Sequence, residues 1–131
     1  MFVKRTIAVF GTLMWYIFPQ LKQLGYSSTS KFYGIENLTE ACAYLADDLL
    51  RSRLVEISEA LLALDSDDAT QVMGEMDDFK LRSSMTLFLL AAKEGGEQYA
   101  KEAEVFNAVL EKFFERKLDK RTLAICGKKL N

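Results

Sequence analysis

Between Asp77 and Thr86 the chain gathers two aspartates, a lysine, an arginine, two adjacent serines and a threonine. At 100° per residue, Asp77, Lys80 and Ser84 fall on one side of a helix. The second half of that helix, Met85-Thr86-Leu87-Phe88-Leu89-Leu90-Ala91-Ala92, is apolar nearly all round, which a helix tolerates only when buried on most sides. Polar groups entering a core helix need partners. On the functional reading they form a polar pocket beside the helix N-terminus, suited to an anionic or hydroxylated ligand. On the structural reading Lys80 and Arg82 pair with neighbouring carboxylates, and the serine hydroxyls bond back to helix carbonyls. Lys80 and Ser84 also have the composition of a Ser-Lys nucleophile pair, although i,i+4 proximity is common on any helix.

A second concentration is Trp15, Tyr16, Phe18, Pro19 and Gln20, where aromatics beside an amide can stack a planar ligand or simply fill a core. The candidate ligand pocket is therefore Trp15, Gln20, Asp77, Lys80, Ser83 and Ser84, with the indole stacking and Lys80 facing charge. No residue is assigned a catalytic role. The acidic run Asp65-Ser66-Asp67-Asp68 fails as a calcium loop, because Thr70 stands where glycine is required. Helix capping explains it, as it explains Asp47-Asp48 and Asp77-Asp78.

Composition removes much of the remaining chemistry. The 131 residues contain no histidine, which excludes Ser-His-Asp and Cys-His catalysis and histidine metal sites. Two cysteines, Cys42 and Cys126, are too few for a four-thiolate zinc site and too far apart in sequence for a CxxC pair. No metal and no cofactor is called for, and there is no Gly-rich phosphate loop. A net charge of -2 with an isoelectric point near 5.2 argues against a nucleic-acid partner. Residues 6–18 are uncharged but too short for a bilayer, which takes about twenty residues. Lys4-Arg5, the apolar run and Gly25-Tyr26-Ser27 have the outline of a secretory signal. A buried first segment of a cytoplasmic domain is preferred, because aromatics crowd Met14 to Phe18 and an amphipathic pattern continues through Lys22.

These side chains must be held by helices. Apolar content of 50% against 27% charged is an ordinary globular balance, and one domain is the natural reading. Asn37 with Glu40 resembles a capping box ahead of Leu38, Ala41, Cys42 and Leu45. Asp47 or Asp48 caps a helix carrying Leu50, Leu54, Ile57, Leu61 and Leu64, with Arg51, Glu56 and Glu59 turned to water. Asp67 caps a short helix through Val72 and Met73 to Gly74. The central helix runs from about residue 77 to 92 and ends at Gly95-Gly96. A long penultimate helix carries Tyr99, Phe106, Val109, Leu110, Phe113 and Phe114, and Asp119 caps a last short one. The expected fold is one all-α domain, residues 1–131, of about six or seven helices around the central buried helix; strand is minor at most, at Lys31 to Ile35.

Met14-Trp15-Tyr16-Ile17-Phe18-Pro19-Gln20-Leu21-Lys22, Tyr33-Gly34-Ile35 and Asp78-Phe79-Lys80-Leu81-Arg82-Ser83-Ser84-Met85-Thr86-Leu87-Phe88 resemble the domain-of-unknown-function 1810 family. Val105-Phe106, Phe113-Phe114 and Asp119 with Thr122-Leu123 continue the likeness, over roughly residues 14 to 125. The resemblance implies a small, mainly α-helical bacterial protein and supplies no activity; the calpastatin label carried by some members finds no support here. It also implies an extra N-terminal helix and a His-Trp pair before Met14-Trp15, where this chain has Thr12-Leu13.

Together these observations favour a non-catalytic module binding a small anionic ligand or a protein partner. The alternative is an enzyme or lapsed enzyme acting on a nucleotide-like or other anionic substrate, with Lys80 stabilising charge. Residues 6–18, as an uncovered apolar patch, are expected to mediate a homodimer. No membrane partner is expected.

Overall fold

The computed structural model describes residues 18–24, 34–69 and 77–128, with Asp77 and Asp78 described by their backbone alone. All regular structure among them is helical: α1 (Leu38–Ala46), α2 (Asp48–Leu62), α3 (Asp77–Glu94), α4 (Ala100–Phe114) and α5 (Lys120–Ile125), with 3-10 turns at Lys22–Leu24 and Gly96–Tyr99. The all-α expectation holds, and the described residues hold five α-helices, somewhat fewer than the six or seven anticipated. The helix expected from Asp67 through Met73 falls largely outside the described residues. So do all but Phe18 of the segment 6–18, expected as a dimer face, and most of the minor strand expected at residues 31–35. Of that strand, Ile35 makes an isolated parallel bridge with Leu21.

Local chemistry starts the helices where the sequence places them. Asn37 Oδ1 accepts from the Glu40 N–H at 2.9 Å, and Glu40 Oε1 returns to the Glu36 N–H at 3.3 Å. Asp47 Oδ1 accepts from the Leu50 N–H at 3.0 Å. Asp119 Oδ2 accepts from both the N–H (2.9 Å) and the hydroxyl (2.6 Å) of Thr122. Each such cap contributes about 1 kcal/mol. The other end of α4 is more strained. Glu115 and Arg116 both adopt left-handed φ values, 54° and 66°, and their N–H groups turn back onto the Leu110 carbonyl. Gly would adopt this conformation without the Cβ penalty.

α3 is the centre, packing on α1, α4 and α5. Leu81, Met85, Leu87, Phe88, Leu89, Ala91 and Ala92 are buried along it. Phe88 meets Tyr44 of α1 at 5.1 Å and Phe106 of α4 at 6.2 Å between ring centroids. Burial of each large apolar side chain contributes roughly 1.5–3 kcal/mol, so this helix anchors the core. It runs two residues beyond the expected end at Ala92, to Glu94, and Gly95 follows. A Cβ at Gly95 would lie 2.3 Å from the Tyr99 ring, so that ring is seated against bare backbone.

One expectation needs correction. Arg51 does not turn to water: its guanidinium donates to the Leu45 carbonyl at 2.7 Å and to Asp48 at 2.8 Å. It also lies 3.8 Å from Glu102 and 5.6 Å from the centre of the Tyr99 ring. It therefore joins the α1–α2 corner to α4, a role that only the tertiary arrangement creates.

Candidate functional site

The N-terminal half of α3 carries three of the singled-out residues. Lys80 is half-buried and engaged within the fold, whereas Ser83 and Ser84 are buried. Asp77 opens the helix, but its side chain, like Trp15, lies outside the described residues. Gln20 sits on the segment preceding the first 3-10 turn. Its backbone carbonyl accepts from the Ile35 N–H at 2.7 Å, and its neighbours Phe18 and Leu21 are fully buried in the same core cluster as Leu81, Met85 and Phe88. Gln20 itself is 3% exposed.

Buried hydroxyls show what is unusual here. Ser58 Oγ donates to the Leu54 carbonyl at 2.7 Å and lies 3.7 Å from Met85 Sδ. Thr86 Oγ1 donates to the Arg82 carbonyl at 2.8 Å and accepts from the Asp119 N–H at 2.9 Å. Thr122 bonds Asp119. Ser84, fully buried, has no partner for its hydroxyl, and Gln20 has none for Nε2; among the described residues these are the two buried side-chain polar atoms so placed. The back-bonding expected of the α3 serines therefore does not occur at Ser84. Helical geometry sets Ser84 one turn before Phe88, on the face that α1 and α4 cover.

The arginine of this stretch also departs from the structural reading. Arg82 pairs with carbonyls rather than carboxylates: Nε donates to Lys117 O at 2.7 Å and Nη2 to Leu118 O at 3.2 Å. With Thr86 receiving the Asp119 N–H, α3 stitches down the whole α4–α5 turn. Thus the motif that looked chemical serves the fold on the side of Arg82 and Thr86, while Ser84 on another face is left unsatisfied.

Other polar features lie elsewhere. An open cleft of about 400 Å³ is lined by Asp67, Asp68, Ala69, Lys112, Phe113, Phe114 and Glu115. Its lysine is already committed. Lys112 Nζ donates to the carbonyls of Leu61 (3.1 Å), Leu62 (2.9 Å) and Leu64, closing the C-terminal end of α2 where such groups lack helical partners. The two free thiols gather near the end of α3. Cys42 Sγ lies 3.8 Å from the Ala91 carbonyl, and the Glu94–Lys128 ion pair (2.8 Å) is close by. Burial, reinforced by Glu94, pushes the Cys42 thiol up. Burial likewise raises Cys126, with Lys128 opposing it and Cys42 adding to it. Sequence spacing hides this neighbourhood, since the two residues come together only when α1 and the tail of α5 pack on α3.

A family model described as protein of unknown function, DUF1810, matches residues 10–126. The chain belongs to the DUF1810 family. A crystal structure of another protein, the conserved hypothetical protein Rv1873 from Mycobacterium tuberculosis, is similar to it at 34% identity and a TM-score of 0.79, covering 97% of this chain and 90% of that one. No curated protein matches. The DUF1810 match spans the Gln20 segment, α3 and α5 alike, so the unsatisfied polar atoms lie within the family domain. Among the described residues no helix is long and apolar enough to cross a membrane.

Proposed function

We propose that this DUF1810 protein is a non-catalytic module that binds a small molecule through a polar site on the N-terminal half of α3, with Gln20, Lys80, Ser83 and Ser84 at its border. The observation that carries this reading is the pair of buried, unpartnered groups, Gln20 Nε2 and Ser84 Oγ. Leaving such a group unmade costs a fold about 1–3 kcal/mol, a large share of the stability of a single domain. A molecule that supplies the missing hydrogen bonds recovers that cost on binding. The absence of histidine supports a binding role over general acid–base chemistry.

The test uses a protein-free small-molecule extract of the cells that make the protein. The extract should raise the melting temperature of the wild type, because a molecule bound by the native state alone stabilises it by mass action. The shift should vanish in the Gln20→Met/Ser84→Ala double variant. No shift of the wild type, or an equal shift of both proteins, refutes the reading.

A further inference from the structure

We propose that Cys42 and Cys126 are a redox-modification site, which a small disulfide of the glutathione disulfide class converts to one intramolecular disulfide at the C-terminal end of α3. The proposal goes beyond the binding reading and does not depend on it. Three elements bring the thiols to one corner. Cys42 lies on α1, and its Sγ is 3.8 Å from the Ala91 carbonyl of α3. Glu94, one turn further along the same side of α3, holds Lys128 Nζ at 2.8 Å. Lys128 follows Cys126 by two residues, and its N–H turns back onto the Leu123 carbonyl at 2.8 Å, so the tail that carries it stays folded on α5. The electrostatics close the same circle: Glu94 acts on Cys42, Lys128 on Cys126, and the two thiols on each other. Both thiols are free and only half-buried, so a small reagent reaches them.

The surroundings divide the chemistry between the two sulfurs. Burial pushes both thiols up, but Lys128 opposes that at Cys126, whereas Glu94 reinforces it at Cys42. Cys126 is therefore the first nucleophile. Its thiolate breaks the sulfur–sulfur bond of the oxidant, forms a mixed disulfide and releases one glutathione. Cys42 then loses its proton and attacks Cys126 Sγ. The mixed disulfide breaks, the Cys42–Cys126 bond forms, and the second glutathione leaves. Two electrons pass from the cysteines to the oxidant, and the two thiol protons end on the released glutathiones. The second step is fast relative to further glutathionylation because its nucleophile is already in place. The bridge ties α1 to the α5 tail, two elements that each pack on α3. Burial gives the reduced pair no stabilised thiolate, the feature that makes a disulfide strongly oxidising, so the bridge resists reduction once formed.

The test treats the reduced full-length protein with glutathione disulfide in mildly alkaline buffer, quenches with acid and maps peptides by mass spectrometry without reductant. The wild type should lose two hydrogens, retain no glutathione and yield one cross-linked peptide pair joining Cys42 to Cys126. The yield should not change when the protein is diluted, as an intramolecular bond requires. Cys42→Ser should stop at the first step, with glutathione held on Cys126. Three results overturn the proposal: glutathione retained on the wild type, a covalent dimer in place of the internal bridge, or native thiols that stay reduced under conditions in which the urea-unfolded chain is oxidised.

Discussion

Ser84→Ala should stabilise this protein, which is the reverse of what removing a buried polar side chain from a helix interior usually suggests. Two serines provide an internal comparison, since Ser58 and Ser84 are both 0% exposed and both lie within helices that pack in the core. Ser58 Oγ has the Leu54 carbonyl at 2.7 Å, whereas Ser84 Oγ has no partner. Replacing either by alanine gains roughly 0.5 kcal/mol of helix propensity. At Ser58 this is outweighed by a lost hydrogen bond of about 1 kcal/mol, leaving a net loss of about half a kilocalorie. At Ser84 no bond is lost, and a desolvation cost of about 1–3 kcal/mol is removed. The expected changes thus differ in sign, by about 2 kcal/mol or more, corresponding to roughly 8 °C in melting temperature for a chain this long. Urea unfolding followed by circular dichroism measures both variants. The midpoint should rise for Ser84→Ala and fall slightly for Ser58→Ala, with the slope unchanged in each. If Ser84→Ala lowers the midpoint as much as Ser58→Ala, the hydroxyl is satisfied in the native state, and the proposed site loses its principal support.

Gly95→Ala should destabilise by about 1–3 kcal/mol in the same assay, because the new Cβ would lie 2.3 Å from the Tyr99 ring and push it from its seat. Thr86→Val keeps the shape but leaves the Asp119 N–H without its acceptor, at a cost of about 1–3 kcal/mol; an unchanged midpoint would remove Thr86 from the stitching of α3 to α5. Alkylation of Cys42 and Cys126 by iodoacetamide should be slow at neutral pH and accelerate only above the usual thiol range, since burial raises both. The same shift acts on stability. A folded-state pKa above the unfolded value gives stability that is present below the ordinary thiol range and lost as pH rises through the folded-state values. A Cys42→Ala/Cys126→Ala variant should therefore show a flatter alkaline decline in unfolding free energy.

Helix starts were legible because a cap is a contract between residues three positions apart. Asn37 with Glu40, Asp47 with Leu50, and Asp119 with Thr122 can be read without knowing what the helix packs on. Burial of α3 was legible for a related reason: a helix apolar all round has no face to offer water. Long-range partnerships have no such local signature. Arg51 looks like a surface residue until the α1–α2 corner and Tyr99 close around it. Arg82 reaches carbonyls 35 and 36 residues away, whereas spacing suggested a carboxylate. The candidate site was half legible. Residue types flagged Gln20 and Ser84 together with Lys80, but only packing distinguishes a hydroxyl that is spent from one that is not.

That distinction assigns separate work to the faces of one motif. From Asp78 to Phe88 the chain carries an arginine, two serines and a threonine close enough in sequence to suggest a single polar cluster. At 100° per residue they diverge. Arg82 and Thr86 look toward the α4–α5 turn, and Ser84 looks along the Phe88 face toward α1 and α4. The first pair bonds to backbone groups and would be expected in a protein that merely needs α5 docked. The serine contributes nothing comparable, because alanine would serve packing at least as well and helix propensity better. A side chain that the fold does not use, held at 0% exposure at a cost to stability, is the pattern in which function and stability oppose each other. On this argument each hydrogen bond removed from the structural half of the motif should lower stability by about 1–3 kcal/mol. The Ser84 half should tolerate replacement freely in every assay except binding.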